Sequence, residues 1–560
     1  MRLATLNLPL AILLASVAAT VSAPAVGKVP TFVPDQLIVG FAPGTAGSAK
    51  TAAHAVAGAH IVRDLNGINA QLVAVPTGSM RGKMAVYRSN PNVLYAEPNY
   101  QRLAVLPNEG QDPPPPIGLG FDYLTEQWGL NNQGQNFYAD GSPAVHGIIK
   151  GTVDADINAP AAWDISTGST SITVAVLDTG VACAHVDLLG KCVESVNFTV
   201  DPPEDEFGHG THVAGIAAAN TDNGAGIAGV GWNTSVAAIK VCHKEFIIEL
   251  GGFVGLCDTA DVVDGLAHAT TMGYQVINMS FSGPDLSQAE AAAVTAAWNG
   301  GAVLVAAAGN DYRPDLAYPA AFNEVIAVGS FDWHGNLSAF SNFGNWVSVA
   351  APGDFIFSTY PDVACGLPDG DPEGCFTWLS GTSMSSPHVA GLAALLWSHI
   401  GPTATNIGVR NAIETNARSS GPLGQNFMAW TQHGMIDMQA ALSNSEPPIG
   451  PGIHVGDLDG SSSRSGPTWT ATVAIAVHDE TEVPLENVNV SGSWSIAVSG
   501  SETSCTTDSN GLCSMTTGSI RNRDGASVTF SVNIADPSYQ PTANHDPDSD
   551  SDGTTITVAK

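Results

Sequence analysis

Apolar and polar positions follow different patterns in different parts of the chain, and these patterns divide it into three folded regions. From about Asp122 to Leu442, nearly continuous apolar runs alternate with stretches rich in small residues at helical spacing. Uninterrupted apolar runs are typical of parallel strands buried on both faces, and their alternation with helices predicts an α/β domain. The predicted strands are Ile172–Leu177, Val236–Val241, Gln275–Met279, Ala302–Ala308 and Val325–Gly329. The predicted helices are Thr211–Ala219, Thr259–Thr271, Gln288–Asn299 and Ser385–His399.

Two smaller regions flank this domain. Before it, strand-like runs at Gln36–Phe41 and Ala70–Val75 surround a predicted helix at Ser48–Ala57, which indicates a small α+β unit. After it, Thr, Ser and Val alternate with a period of two, which predicts an antiparallel, Ig-like β-sandwich of roughly a hundred residues. The predicted sandwich strands include Trp469–Val477, Val488–Trp494, Gly511–Thr517 and Val528–Ile534.

The connections between the regions are rich in proline and glycine. Pro113 to Pro116 are four consecutive prolines, which cannot occupy a helix or a central strand. Pro447, Pro448, Gly450, Pro451 and Gly452 mark a second linker.

The N-terminus has the features of a signal peptide. Arg2 precedes an apolar run from Leu8 to Ala19, and small residues follow up to Ala25. A membrane anchor is the alternative, but the run is short, and we find no stretch elsewhere that predicts a transmembrane helix. We therefore expect a secreted, extracellular protein, with bacterial export.

The charge is strongly acidic but unevenly distributed. Lys and Arg number 19 against 52 Asp and Glu, a formal charge of −33. Between Pro24 and Leu103, however, seven basic residues outnumber three acidic ones. The overall balance argues against partners that are nucleic acids or anionic membranes, and the asymmetry indicates parts with different roles.

The eight cysteines fall into close sequence pairs, which are Cys183/Cys192, Cys242/Cys257, Cys365/Cys375 and Cys505/Cys513. In an exported protein an even count favours disulfides, and local pairing is the simplest arrangement, although the connectivity is not fixed by sequence. A zinc site is the rival interpretation, but the chain contains no CxxC pair.

Three polar residues in the middle domain stand where α/β proteins build their sites. Asp178 ends the apolar run Val174–Leu177, His209 lies in the string Gly208–Gly215 at the start of a helix, and Ser383 lies in Ser380–Gly391 at the start of another. A serine hydroxyl becomes a good nucleophile when a neutral imidazole removes its proton, while a carboxylate orients the imidazole. Taken singly, each residue is more simply a turn or capping residue; together they predict an activated serine.

These motifs, in the order Asp–His–Ser, resemble the subtilisin-like serine proteases, and the resemblance runs from about Gln127 to Leu442. The resemblance implies a subtilisin-like parallel sheet with helices on both faces. It assigns Asp178 as the orienting carboxylate, His209 as general base and acid, Ser383 as nucleophile, and Asn310 as side-chain donor to the oxyanion. His212 and His388 are expected to have packing or helix-end roles.

The same resemblance suggests where a peptide substrate binds. Ser280, Phe281 and Ser282 resemble the strand that pairs with substrate, and Ala306, Ala307, Ala308 and Gly309 would form the opposite wall of the pocket. Ala317 falls at the expected pocket floor, and its small side chain predicts a preference for large apolar residues. No acid is obviously placed to select Lys or Arg.

The basic N-terminal unit, from about Pro34 to Tyr100, resembles the inhibitory prodomain of this family, mainly at Ile38–Phe41 and Val93–Tyr100. A simple accessory domain is the alternative. The predicted organisation is a signal peptide (1–25), prodomain (26–105), linker (106–121), catalytic domain (122–445), linker (446–452) and Ig-like β-sandwich (453–560). The bond processed during maturation is expected between Arg102 and Asp122.

Two segments are candidate calcium sites. The loop from Asn220 to Gly229 resembles the tight calcium loop of thermitase-like members, which implies the ligands Asp187, Asn220, Asn223, Ala225 and Ile227, with Asp122 less securely. The acids Asp548, Asp550 and Asp552 form a second, weaker candidate, for which a solvated acidic loop is an equal alternative. No catalytic metal is expected.

The leading hypothesis is a secreted, calcium-dependent, monomeric serine endopeptidase that acts on proteins or peptides and is made as a self-processing zymogen, inhibited by its own prodomain. The alternatives are a non-catalytic binding protein whose functional part is the β-sandwich, and a maturation protease with a single protein substrate.

Overall fold

The computed structural model describes residues 31–104, 126–138, 148–224, 226–248, 252–361, 375–445, 453–479, 483–523, 525–534 and 554–560. Among these residues, no helix has the length and apolarity needed to cross a bilayer. The predicted signal peptide, the proline linkers and the acidic segment around Asp550 lie outside the described residues.

The middle region is an α/β domain built on an eight-stranded parallel sheet. Its strands in chain order are β7 (Thr173–Asp178), β8 (Cys192–Asn197), β9 (Ser235–Lys240), β12 (Val276–Met279), β13 (Val303–Ala307), β14 (Val325–Phe331), β15 (Val349–Pro352) and β18 (Gly434–Met435). Their spatial order is β18-β15-β14-β13-β12-β7-β9-β8. Two small antiparallel pairs accompany the sheet: β5 (Asn136–Tyr138) with β6 (Ile148–Lys150), and β16 (Ile356–Thr359) with β17 (Phe376–Leu379).

Helices cover both faces of this sheet. They are α3 (Ala159–Trp163), α4 (His209–Ala218), α5 (Thr259–Met272), α6 (Gln288–Asn299), α7 (Thr382–Ile400), α8 (Asn406–Thr415) and α9 (Met438–Asn444). Alternate residues of β7 show the two faces: Val174 and Val176 belong to one buried apolar cluster, and Ala175 and Leu177 belong to the other. Because both faces are buried, the apolar runs need no polar alternation. The predicted fold class is therefore confirmed for this domain.

The N-terminal unit is a small α+β fold whose sheet continues into the middle domain. It contains β1 (Phe32–Phe41), α1 (Gly47–Ala57), β2 (His60–Leu65), β3 (Ala70–Ala74), α2 (Met80–Arg88) and β4 (Val93–Ala104). Strand β4 also pairs with a hairpin of the middle domain made of β10 (Cys242–Ile247) and β11 (Gly252–Asp258). The result is one six-stranded antiparallel sheet in the order β10-β11-β4-β1-β3-β2.

The C-terminal region contains two four-stranded antiparallel sheets around a separate apolar core. One sheet contains β19 (His454–Ser465), β20 (Thr468–His478), β23 (Leu512–Thr516) and β24 (Ile520–Arg521). The other contains β21 (Asn489–Trp494), β22 (Ser504–Thr506), β25 (Ser527–Ile534) and β26 (Thr555–Ala559). Trp469 and Phe530 are buried in the core between them, as the period-two alternation predicts.

Three of the predicted local disulfides are present, joining Cys183 to Cys192, Cys242 to Cys257, and Cys505 to Cys513. Cys242 and Cys257 face each other across β10 and β11, so this bond ties the hairpin together at its base. Cys365, in the fourth predicted pair, lies outside the described residues.

Candidate active site

Three polar side chains lie at the ends of elements that build the parallel-sheet domain. Asp178 is the last residue of β7, His209 is the first residue of α4, and Ser383 is the second residue of α7. All three are buried, with at most 2% of any of them exposed. The sequence therefore places them at a strand end and at two helix starts, where parallel α/β folds concentrate functional groups.

The Asp178 carboxylate orients the His209 ring. His209 Nδ1 donates to Asp178 Oδ1 over 2.7 Å, and the backbone N–H of Thr179 donates to the same oxygen, also over 2.7 Å. Since Nδ1 carries the proton of the neutral imidazole, Nε2 is the nitrogen with a free lone pair. His209 Nε2 is buried and has no hydrogen-bond partner among the described residues, so it is available to accept a proton.

A second buried carboxylate holds the chain around His209. Asp205 accepts five hydrogen bonds, which come from Thr179 Oγ1, from the backbone N–H groups of Phe207, Gly208 and Thr211, and from Thr211 Oγ1. Gly208, the residue before His209, has a φ of +92°, and a Cβ on it would lie 2.3 Å from the Tyr360 ring. The loop is thus fixed by hydrogen bonds from both ends and by a position that only glycine fits.

Ser383 is held against the end of β12 by a pair of hydrogen bonds. Its hydroxyl donates to the carbonyl of Ser280 over 2.9 Å, and the Ser280 hydroxyl donates to the Ser383 carbonyl over 2.9 Å. That carbonyl needs an outside donor because Pro387, four residues later in α7, has no N–H to donate. Helix α7 begins at Thr382, three residues earlier than predicted, so Ser383 lies within its first turn.

Asn310 is oriented towards the same place by Thr382. The backbone N–H and the hydroxyl of Thr382 both donate to Asn310 Oδ1, over 2.8 and 2.9 Å. Because Oδ1 is occupied, the side chain presents its Nδ2 as a donor. The N–H of Ser383, in the first turn of α7, is a second donor that a helix leaves without an internal partner. Together these groups can stabilise negative charge on an oxygen near Ser383.

Strand β4 of the N-terminal unit occupies a cleft beside these residues. Leu103 pairs with Ser282 in an antiparallel bridge, with N–H to carbonyl distances of 2.9 and 3.1 Å. On its other side Leu103 pairs with Leu256 of β11. An extended chain therefore lies between β11 and the segment that follows β12, and it runs towards Ser280 and Ser383.

A cavity of about 210 Å³ adjoins this cleft. Its lining includes Ser282, Asn310 and Ala317, three of the predicted site residues, which the structure thus brings together. Phe281 is fully buried in the core, and Ala306 and Ala307 belong to β13. The lining also includes the acids Asp311 and Asp315, which were not predicted as site residues from the sequence.

The N-terminal unit also caps two helices of the middle domain. Glu97 accepts hydrogen bonds from the backbone N–H groups of Gln288 and Ala289 and from the hydroxyl of Ser287, at the start of α6. Asn99 Oδ1 accepts from the N–H of Ala260 at the start of α5, over 3.0 Å. These contacts satisfy N–H groups that helix ends leave open and bring a negative charge to a helix N-terminus.

The first calcium candidate is partly described. Asp187 is buried, and its carboxylate accepts from the N–H of Ile227 over 2.8 Å and from Asn223 Nδ2 over 3.0 Å. The Asn220 N–H donates to the Asp187 carbonyl over 2.8 Å. Ala225 and Asp122 lie outside the described residues, as do Asp548, Asp550 and Asp552. Among the described residues, including this loop, no cluster of three or more His, Cys, Asp or Glu side chains could hold a metal ion.

Comparison with known proteins matches the N-terminal unit and the middle domain to two different family models. The model of the subtilase family matches residues 169–430, and that of the fervidolysin N-terminal prodomain matches residues 18–99. A thermophilic serine proteinase of Bacillus sp. (strain AK1) is 35% identical over 414 residues, which cover 74% of this chain and 88% of that protein. Thermitase of Thermoactinomyces vulgaris is 43% identical over 263 residues, covering 47% and 86% of the two chains.

Among solved structures, the chain is similar to fervidolysin from Fervidobacterium pennivorans, which is described as a keratinolytic enzyme related to subtilisin. The TM-score is 0.57 at 23% identity, over 90% of this chain and 71% of that one. At this identity the likeness supports the fold.

Proposed function

Because the chain belongs to the subtilase family and is a serine-type endopeptidase with a fervidolysin-like prodomain, we propose that it cleaves peptide bonds through an acyl-enzyme on Ser383. The observation that carries this proposal is the buried Asp178–His209 hydrogen bond, which leaves His209 Nε2 as a base that has no partner among the described residues. Family membership disfavours the alternative of a non-catalytic binding protein.

In the proposed acylation step, Ser383 Oγ exchanges its bond to the Ser280 carbonyl for one to His209 Nε2. As Oγ attacks the substrate carbonyl carbon, its proton passes to Nε2, and Asp178 stabilises the resulting imidazolium. The carbonyl oxygen becomes negatively charged and accepts hydrogen bonds from Asn310 Nδ2 and from the N–H of Ser383. Collapse of this intermediate breaks the C–N bond, and His209 returns the proton to the leaving amine.

In the proposed deacylation step, water replaces the amine. His209 Nε2 takes a proton from the water as its oxygen attacks the ester carbon, and the same two donors receive the oxyanion. Breaking of the ester bond returns the proton to Ser383 Oγ. Each proton is thus carried by one imidazole, whose orientation depends on Asp178.

The pairing of Leu103 with Ser282 supports a zymogen. A substrate must lie extended beside Ser280 and Ser282, and β4 already occupies that place. The prodomain also caps α5 and α6 through Asn99 and Glu97, so we propose that it assists folding of the catalytic domain and inhibits it until the enzyme cuts the connection itself.

The residues around Asp187 fit a structural calcium ion, which we propose as a stabilising group. Asp187 is 1% exposed and its carboxylate accepts hydrogen bonds from the loop, and a buried carboxylate is favoured when it is paired with a cation. Gly226, with a φ of +69°, lies so close that a Cβ would be 2.3 Å from Asp187 Oδ2. Asp187, Asn220 and Asn223 would hold the ion, which would neutralise the buried charge and tie the loop to α4. No catalytic step needs it.

We further propose that the protein is secreted as a monomer. Three disulfides and the sequence features of residues 1–25 favour an oxidising compartment. A peptide-library cleavage profile of the processed enzyme distinguishes broad action from action on a single substrate.

The direct test is Ser383→Ala in the full-length chain. We expect loss of peptidase activity, no labelling by a fluorophosphonate probe, and an unprocessed precursor. Ser171→Ala, which removes an exposed hydroxyl of the same domain, is the matched control and should be processed and labelled normally. Normal processing of the Ser383→Ala chain, expressed alone, would contradict self-maturation.

A further inference from the structure

One ion pair between the prodomain and the catalytic domain is completely buried. Arg102 Nη2 lies 2.7 Å from Glu290 Oε2, and neither side chain is exposed to any measurable extent. Arg102 Nε donates to Glu290 Oε1 over 3.4 Å, and Nη2 also donates to the carbonyl of Asp285 over 2.8 Å. Removing two charges from water is costly unless the geometry compensates, so such a pair points to a specific recognition role.

The two residues of this ion pair separate when the prodomain is released. Glu290 lies in the first turn of α6 and stays with the catalytic domain, whereas Arg102 lies in β4, the strand that occupies the substrate cleft. Arg102 pairs with Cys257 of β11, and its neighbour Leu103 pairs with Ser282. Arg102 is therefore bound as a side chain of a substrate-like strand.

The surroundings of the guanidinium are shaped for it. A Cβ on Gly283 would lie 3.1 Å from Arg102 Cδ and 3.2 Å from Nη1, so the absence of a side chain at Gly283 leaves room for the arginine. The Tyr100 ring is 6.0 Å from the guanidinium carbon. Glu97, another nearby acid, is occupied with the start of α6, and both Glu97 and Tyr100 leave with the prodomain.

When the prodomain leaves, Glu290 loses its cation. The Glu290 carboxylate has no side-chain partner from its own domain among the described residues, so it is best satisfied by a cationic side chain of the next chain to bind. A planar guanidinium can reproduce both contacts to the carboxylate, whereas an ammonium group cannot.

The register gives the position of that side chain. In the antiparallel ladder, Leu103 lies opposite Ser282, so a bound chain places the residue two positions later opposite Ser280, whose carbonyl contacts the Ser383 hydroxyl. The Arg102 position lies three residues before the position opposite Ser280. When the bond after the position opposite Ser280 is cleaved, the Arg102 position is therefore the fourth residue before the cleaved bond.

We propose that Glu290 forms an acidic specificity pocket, which selects arginine at the fourth residue before the cleaved bond. This inference rests on the proposed function and names a substrate class for it: extended peptides with arginine at this distance from the bond. It adds to the apolar preference expected beside the bond itself.

The test uses the processed enzyme and a set of internally quenched peptides that differ only at the fourth residue before the bond, which is Arg, Lys, citrulline, Leu or Glu. We expect kcat/KM for Arg to exceed that for citrulline by about ten- to hundredfold, since citrulline keeps the shape and removes the charge. Lys should fall between them, and Glu should be poorest.

Variants of Glu290 test whether this residue causes the preference for arginine. Glu290→Gln and Glu290→Leu should abolish the preference for Arg over citrulline, and Glu290→Leu should favour the Leu peptide. Glu245→Gln, which removes an exposed acid from β10, should keep the preference. If Glu290→Leu fails to fold, Glu290→Gln and the citrulline peptide still test the charge.

The outcomes separate the two proposals. Efficient cleavage of all five peptides at equal rates, with Ser383 labelled by a fluorophosphonate, would overturn the pocket and leave the catalytic assignment intact. No cleavage of any peptide and no labelling would overturn the proposed function. A preference for Arg that persists in Glu290→Gln would also overturn the pocket.

Discussion

Replacing Asp205 with alanine should damage both the stability of the protein and its catalysis, although Asp205 is not a member of the proposed triad. Asp205 is 7% exposed, and its carboxylate accepts five hydrogen bonds, one from Thr179 beside Asp178 and four from the residues around His209. Alanine removes the acceptor for all five donors at once.

The magnitude follows from what those donors lose. A buried donor without an acceptor costs about 1–3 kcal/mol, and relaxation of the loop and entry of water make the five costs less than additive. We expect the free energy of unfolding to fall by about 3 kcal/mol. In an active background, a displaced His209 should lower kcat by more than about tenfold with little change in KM, since each 1.4 kcal/mol of transition-state stabilisation is a factor of ten.

Stability is best measured by denaturant titration of chains that carry Ser383→Ala, which prevents self-digestion. Glu204→Ala, which removes an exposed carboxylate one residue earlier, is the matched control and should change stability by less than about 0.5 kcal/mol. If Asp205→Ala and Glu204→Ala have the same unfolding midpoint and the same kcat, the assignment of Asp205 as the organiser of this loop is wrong.

Three further predictions concern the prodomain, acid and calcium. Glu97→Ala removes the cap of α6 and should weaken prodomain association by about 1–2 kcal/mol, as measured by the concentration of cleaved prodomain that inhibits the enzyme; unchanged inhibition would contradict this. Burial lowers the pKa of His212 to about 3 and that of His388 to about 4, whereas unfolded histidine titrates near 6.5, so stability should be full above that pH and fall below it. In denaturant titrations from pH 7 to 5, the free energy of unfolding of His388→Asn should fall by up to about 1.4 kcal/mol less per pH unit than that of the parent chain. If the free energy of unfolding depends on pH in the same way in both chains, the assignment is wrong. Removal of calcium by a chelator should lower the thermal midpoint of the parent chain but not that of Asp187→Ala, and an equal shift in both would place the ion elsewhere.

Much of the fold and the core of the site could be predicted because they depend on local sequence. The run before Asp178 is apolar at every position, so its burial on both faces and the strand end at Asp178 are visible from the residues alone. Family resemblance supplied the roles of His209, Ser383 and Asn310, and the structure brings Asp178 to His209, and Thr382 to Asn310.

What could not be predicted depends on contacts between distant segments. The hairpin between Cys242 and Cys257 pairs with β4 and joins residues as far apart as Gln101 and Asp258, which are separated by 157 positions, and no local pattern records that pairing. Glu290 is for the same reason unremarkable in a helical sequence. It becomes a candidate for specificity when Arg102 is placed beside it.

The shared six-stranded sheet has one more consequence. When β4 departs, β11 becomes an edge strand whose open backbone groups flank the cleft opposite Ser282, with the disulfide at the hairpin base keeping that edge in shape. Any chain that replaces β4 must expose several consecutive backbone groups on both of its sides, which a folded helix or an interior strand cannot do. In the proposed binding mode, a segment of the target protein must unfold locally before its side chains can contact the cleft. The local stability of the target protein therefore contributes to the specificity of cleavage.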